Sequence, residues 1–190
     1  MFNGKLDLIS LDSYGKEITL YPNPSLKEKC NEIKLPPNST VKSIIGSMFD
    51  IMKRSGGLGL AAPQIGLNDR YFVCNVTGQE KDNKVFINPV VVDMVGLQKG
   101  VEGCLSLPGV TVECCRAKRI VVKAFDIEGE EFQEECSGLM ARVICHEVDH
   151  INGILIGSRM TDIEKMTNKR ALEGLKAHFR KEQEKEESIV

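Results

Sequence analysis

The sequence predicts an α+β fold, with antiparallel sheets packed around a central helix and a further helix at the C-terminus. Three observations carry that expectation. Short β-branched and apolar runs crowd the middle of the chain without alternating regularly with helices, which argues against a doubly wound parallel sheet. Residues 120–125 and 131–136 flank Asp126-Ile127-Glu128-Gly129, a hairpin composition. Two stretches, one opening near Ser137 and closing at Asn152-Gly153, the other from about Asp162 to about Lys185, space their apolar residues as helices do.

At 190 residues the chain fits one domain, 1–190, able to bury a full core. A formal charge of -2 gives no strong field for gripping nucleic acid or an anionic membrane. Neither a membrane partner nor sequence-specific nucleic-acid binding is therefore expected. Residues 1–17 mix Lys5, Asp7, Asp12, Lys16 and Glu17 with isolated apolar residues and lack a signal-peptide core. A cytoplasmic location is the expectation, and seven cysteines there are thiols, ligands or small buried hydrophobes rather than a disulfide framework.

In chain order, residues 18–24 read as extended chain and turn, with Pro24-Ser25 opening a short helix. Thr40 is a plausible N-cap for an amphipathic helix carrying Val41, Ile44, Ile45, Met48, Phe49 and Met52, stopped by Gly56-Gly57. Residues 57–64, Gly-Leu-Gly-Leu-Ala-Ala-Pro-Gln, put little bulk between the backbone and a ligand. They read either as a tight connection or as an edge that pairs with an extended ligand by strand addition. Their G-x-G-x-x-A spacing lacks the strand before and the helix after that a dinucleotide site requires. Residues 71–76, 85–88 and 90–94 read as short strands, with Pro89 marking a bend or edge. The final helical pattern carries Ile163, Met166, Leu172, Leu175 and Phe179 on one face and ends almost wholly charged, as a solvated helix end does.

The chemistry concentrates at His146-Glu147-Val148-Asp149-His150, which holds two of the chain's three histidines. Residues four apart share a helix face, so both imidazoles reach one point beside the helix, where a metal ion fits. Glu147 flanks that point and can act as a general base on water there, the H-E-x-x-H arrangement. A catalytic metal site typically needs a third protein ligand. Cys104, the Cys114-Cys115 pair, Cys136, Cys145, Glu164 and Glu173 are the candidates. Cys145 leaves the helix at another angle from His146 and suits packing, while Cys114 and Cys115 point to opposite faces of any strand. Cys104 follows Gly103 directly, so the backbone before it can bend close to a metal.

Residues 57–64, Glu102-Gly103-Cys104-Leu105-Ser106 and His146 to His150 together resemble, in order and separation, the three signature motifs of the peptide deformylases. The likeness extends to Pro108, Arg116, the 126–129 turn, Gly138-Leu139 and Asn152-Gly153. The family usually has glutamine where Cys145 stands. The resemblance implies removal of the formyl group from the N-terminal formylmethionine of nascent polypeptides. It implies Cys104, His146 and His150 as ligands of a divalent metal, iron(II) in the cell, with zinc, nickel or cobalt in purified protein. Glu147 becomes the base, Gln64 and the Leu105 N–H the donors to the oxyanion. Leu58, Gly59 and Gly103 become backbone partners of the peptide, with Leu139 and Val143 beside the methionine side chain and Glu102 bracing Arg116. It also brings ribosome contact through the C-terminal helix into view. Two rivals remain at this stage: an H-E-x-x-H endopeptidase that uses a downstream glutamate, and a non-catalytic zinc module with a closed ligand set.

Overall fold

The structure, a computed structural model, describes residues 18–188; the reading of residues 1–17 lies outside the described residues. A 3₁₀ turn at Pro24–Lys27 begins under an Asn23 side-chain cap. Helix α1 (Ser39–Arg54) is capped by Asn38 rather than Thr40, because the Asn38 carboxamide oxygen accepts from the Val41 N–H. Its buried face is Ile45, Met48, Ile51 and Met52. Gly56, with φ 68°, turns the chain out of the helix.

Strands β1 (Gly59–Ala61), β2 (Tyr71–Cys74), β3 (Lys84–Gly103), β4 (Thr111–Phe125) and β5 (Glu131–Ser137) form one five-stranded sheet in chain order. Every neighbouring pair is antiparallel. Residues 85–88 and 90–94, expected as separate strands, belong to the single long β3, which absorbs Pro89 in a register shift between Ile87 and Val90. A bulge is where a missing N–H is tolerated. β2 is apolar throughout because both its faces are covered. Phe72 and Cys74 join one core with Phe86, Val122, Ala141 and Ile144, while Tyr71 and Val73 join another with the buried face of α1. Phe72 stacks on Phe86 with ring centroids 4.9 Å apart.

Helix α2 (Gly138–Ile151) follows β5 without a linker, Ser137 serving as its N-cap. Ala141, Ile144 and Ile151 press it into the first of these cores, in the hollow of the sheet. Asn152 closes the helix by donating from its side chain to the Val148 carbonyl, and Gly153, at φ 73°, reverses the chain. A third core joins Leu107, Val110 and Val112 of the β3–β4 connection and β4 to Leu155, Ile156 and Leu175.

The single helix expected from about 162 to about 185 is two helices, α3 (Asp162–Thr167) and α4 (Lys169–Glu187). The break is Asn168, whose side chain accepts from the Thr111 N–H and donates to the Thr111 carbonyl, tying the chain to β4. In consequence Ile163 and Met166, expected on the apolar face, are 78% and 77% exposed, whereas Leu175 is fully buried. Among the described residues no helix is long and apolar enough to cross a membrane.

A Cβ at Gly153 would sit 2.6 Å from the Lys27 carbonyl carbon and closer still to its oxygen. Gly153→Ala combines that overlap with a left-handed backbone, so it should lower stability by about 2 kcal/mol or more. Thermal unfolding measures this, and an unchanged midpoint would count against the packing described.

Candidate metal centre

One turn of α2 separates His146 from His150, and their Nε2 atoms lie 3.2 Å apart. The Cys104 thiol, from the turn that joins β3 to β4, lies 3.2 Å from His150 Nε2. Among the described residues these are the one group of metal-ligating side chains whose donor atoms converge, all within 4.8 Å of one another. The remaining candidates fall elsewhere. Cys114, Cys136 and Cys145 are buried outside the group, and Cys115 is exposed on the other face of β4. Glu164 accepts from the Thr161 and Glu113 N–H groups, and Glu173 pairs with Lys176. Neither downstream carboxylate that an endopeptidase would need is at the site.

The group fits a divalent ion. Three electron-pair donors of the N₂S type face a common point, a set that suits zinc and its first-row neighbours. Burial holds the His150 pKa well below its ordinary value, which leaves a neutral ring free to ligate. Burial opposes charge on His146 too, but the Cys104 thiol and the Glu102 carboxylate against its ring carry its pKa to about 10. A cation held at the common point would take the place of that proton. Beside it, Glu147 Oε2 is buried without a protein hydrogen-bond partner.

Complete burial pushes the Glu147 pKa up to about 7, against the lowering effect of His146 and Arg116. Strand β1 crosses directly over this carboxyl: a Cβ at Gly59 would lie 2.8 Å from Glu147 Cγ and 2.7 Å from Cδ. Only glycine permits that approach. Gln64, in the 3₁₀ turn after β1, is fixed because its Oε1 accepts from the Ala61 N–H at 2.9 Å. Its Nε2 therefore points at Cys104 Sγ, 3.6 Å away, and at Ser106 Oγ, 3.3 Å away.

Behind the ligands lies a buried ionic network. Glu102 accepts from Arg116 Nε and Nη2 at 3.0 and 2.8 Å, from Arg142 Nη1 at 2.8 Å, and faces His146 Nδ1 at 3.1 Å. Burial alone would raise its pKa, but hydrogen bonds from His146 and Arg116 hold it well below the usual carboxylate range. Arg116 also donates to Asp149, which takes two further bonds to one oxygen and one to the other from Arg159. The bracing of Arg116 by Glu102 that the sequence suggested is present.

A cavity of about 820 Å³ opens over the centre and is lined by Leu58, Gly59, Gln64, Gly103, Cys104, Leu105, Leu139, Val143, His146 and Glu147. His150, fully buried, lies behind this lining. The residues to which the family resemblance assigns roles therefore line this one cavity or, for His150, lie directly behind it. Leu139 is half exposed at the cavity, so core packing does not explain it. Sequence reasoning quoted Ser106 within the second motif without giving it a role, and passed over Arg142. Arg142 stands one turn before His146 on the same helix face, and that spacing was the available signal.

The profile of the family described as Polypeptide deformylase matches residues 15–166. A peptide deformylase of Thermodesulfovibrio yellowstonii is 38% identical over 151 residues, spanning 78% of this chain and 91% of that protein. One from Dictyoglomus turgidum is 42% identical over 146 residues, spanning 77% and 93%. The crystal structure of the Plasmodium falciparum peptide deformylase superposes with a TM-score of 0.82 at 32% identity, covering 86% of this chain and 96% of that one. The Legionella pneumophila peptide deformylase gives 0.81 at 33% identity, covering 87% and 97%.

Removing a carboxylate that orients a ligating histidine typically weakens metal binding by about ten- to a hundredfold. Glu102→Ala should do so in competition with a chelator, and should destabilise the fold by about 3 kcal/mol or more through the buried arginine it leaves short of a partner. Metal retention equal to that of the unaltered chain would show that Glu102 does not hold His146.

Proposed function

This chain belongs to the polypeptide deformylase family, and from that premise we propose how its residues divide the work of removing the formyl group from the N-terminal formylmethionine of nascent polypeptides. The reaction is a metal-dependent hydrolysis that releases formate and a free α-amine. The observation that carries the assignment is the convergence of Cys104, His146 and His150 in one cavity with Glu147 and Gln64.

Cys104, as thiolate, with His146 and His150 would hold the ion. When bound, it supplies Lewis acidity that acidifies water and polarises the formyl carbonyl. Glu147 takes the proton of the attacking water; its buried position and a pKa near neutrality suit that task. As the new C–O bond forms, negative charge grows on the formyl oxygen. Gln64 Nε2, locked by the Ala61 N–H, and the Leu105 backbone N–H are the donors assigned to it. Glu147 then hands its proton to the departing nitrogen as the C–N bond breaks, so one water is consumed for each formate released.

The peptide is assigned to the gap between Leu58-Gly59 at the start of β1 and Gly103 at the end of β3, both of which line the cavity. Strand addition there holds any sequence by its backbone, as an enzyme acting on many nascent chains requires. Leu139 and Val143 of α2, with the His146 ring, form the wall assigned to the methionine side chain. We assign iron(II) as the working metal, on the strength of the family resemblance and the N₂S donor set. Intrinsic affinity favours zinc at such a site, so occupancy follows supply. The charged exterior of α4 is the candidate surface for ribosome contact, and the cytoplasm, where nascent chains emerge, the compartment of action. Residues 1–190 are read as one domain that includes α4.

Anaerobically prepared, iron-loaded protein should release formate from a formyl-Met tripeptide, and metal removal should abolish release. Glu147→Ala should reduce turnover to near background while the metal stays bound; retained turnover would remove Glu147 from the mechanism. Gln64→Ala should slow turnover by roughly a hundredfold or more, the effect of losing one oxyanion donor. Near-normal rates in that variant would refute its role.

A further inference from the structure

Strand β3 turns Gln98, Gly100 and Glu102 toward α2, and the glycine between the two long side chains leaves a slot. The Arg142 guanidinium fills it: a Cβ on Gly100 would lie 2.9 Å from Arg142 Nη2 and 3.0 Å from Cζ. From this seat Nη2 donates to the Gln98 carbonyl at 3.2 Å, and Nη1 to the Gly100 carbonyl at 3.3 Å and the Cys114 carbonyl at 3.2 Å. Nη1 also reaches Glu102 Oε1 at 2.8 Å, whose other oxygen faces His146 Nδ1. One side chain therefore grips the last turn of sheet before the cavity on both strands, and also the carboxylate behind a metal ligand. It lines the cavity itself.

We propose that Arg142 is a positioning residue with two separable tasks. Through the Gln98, Gly100 and Cys114 carbonyls it fixes the end of β3, whose Val101–Gly103 edge receives the peptide. Through Glu102 it steadies His146 and so the metal. The first task needs a planar fork spanning several oxygens. The second needs one positive charge near a carboxylate. Lysine can perform the second and not the first. Of the two tasks, the peptide-binding one rests on the deformylase reading; the metal-holding one does not.

The test compares wild type with Arg142→Met, Arg142→Lys and Gly100→Ala, measuring KM and kcat for a formyl-Met tripeptide and, separately, zinc retention against a chelator. Losing hydrogen bonds of this kind is worth roughly tenfold. Arg142→Met should raise KM and weaken zinc retention by about that factor, with kcat per loaded site changing much less. Arg142→Lys should recover zinc retention while KM stays high. Gly100→Ala, which removes no charge and displaces only the tip of a flexible side chain, should raise KM alone. Unchanged KM and zinc retention in folded Arg142→Met overturns the proposal, and so does full recovery of KM by lysine. If Arg142→Met does not fold, Gly100→Ala decides, an unaltered KM overturning it. If wild type releases no formate, the deformylase reading fails by itself, and the zinc arm still judges the tie to His146.

Discussion

The Glu102 carboxylate is the constraint on which the centre depends. Two metal ligands stand on α2 and the third on the turn after β3, so the site exists only if helix and sheet hold a fixed relation. Glu102 supplies it, meeting Arg116 from β4 and both Arg142 and His146 from α2. Burying an ionised carboxylate costs several kcal/mol unless its lone pairs are filled. Here they are filled, and any slippage of α2 along the sheet would break several charge-assisted bonds at once. Apolar packing of Ala141, Ile144 and Ile151 contributes most of the helix's burial but is less particular about register, because neighbouring apolar side chains can substitute for one another.

The same geometry divides rigidity from access. β1 and the end of β3 border the cavity, so backbone faces it from either side. Meanwhile His146 and Glu147 approach the cavity from α2. Gly59 is where the two arrangements touch, its missing side chain letting the β1 backbone lie against Glu147. This buries the carboxyl, and burial raises its proton affinity.

Much of this was legible in the sequence, because local spacing encodes local geometry. The histidine pair, Glu147, the α2 stop at Asn152-Gly153 and the β4–β5 turn all follow from contacts within a few residues. Cys104 did not follow from spacing, since 46 positions separate it from His150. The glycine before it favoured Cys104, and its likeness to a family motif selected it among the candidates. The length of β3 was hidden by Pro89, Gly96 and Gly100, each of which reads as an interruption and is accommodated by a bulge, a positive φ or a neighbouring side chain. The break at Asn168 was invisible for another reason: a helix former's periodicity continues through it, and the bonds that end α3 go to Thr111 across the fold. Asn38 displaced Thr40 as a cap because both residue types cap helices, asparagine somewhat better, and the backbone path places Asn38 at the turn.

The distribution of cysteines has a chemical corollary. Burial raises the pKa of Cys30, Cys114 and Cys136 to about 11 and that of Cys74 further, so at neutral pH these thiols are almost wholly protonated and poorly nucleophilic. Cys145 is buried and its pKa is raised by that burial, and Cys104 would lend its sulfur to the metal. That leaves Cys115, exposed on the outer face of β4 opposite Lys99, as the thiol open to electrophiles. A fluorophore or spin label delivered to the folded, metallated protein is thereby directed to a single position outside the cavity, with no cysteine needing to be removed first.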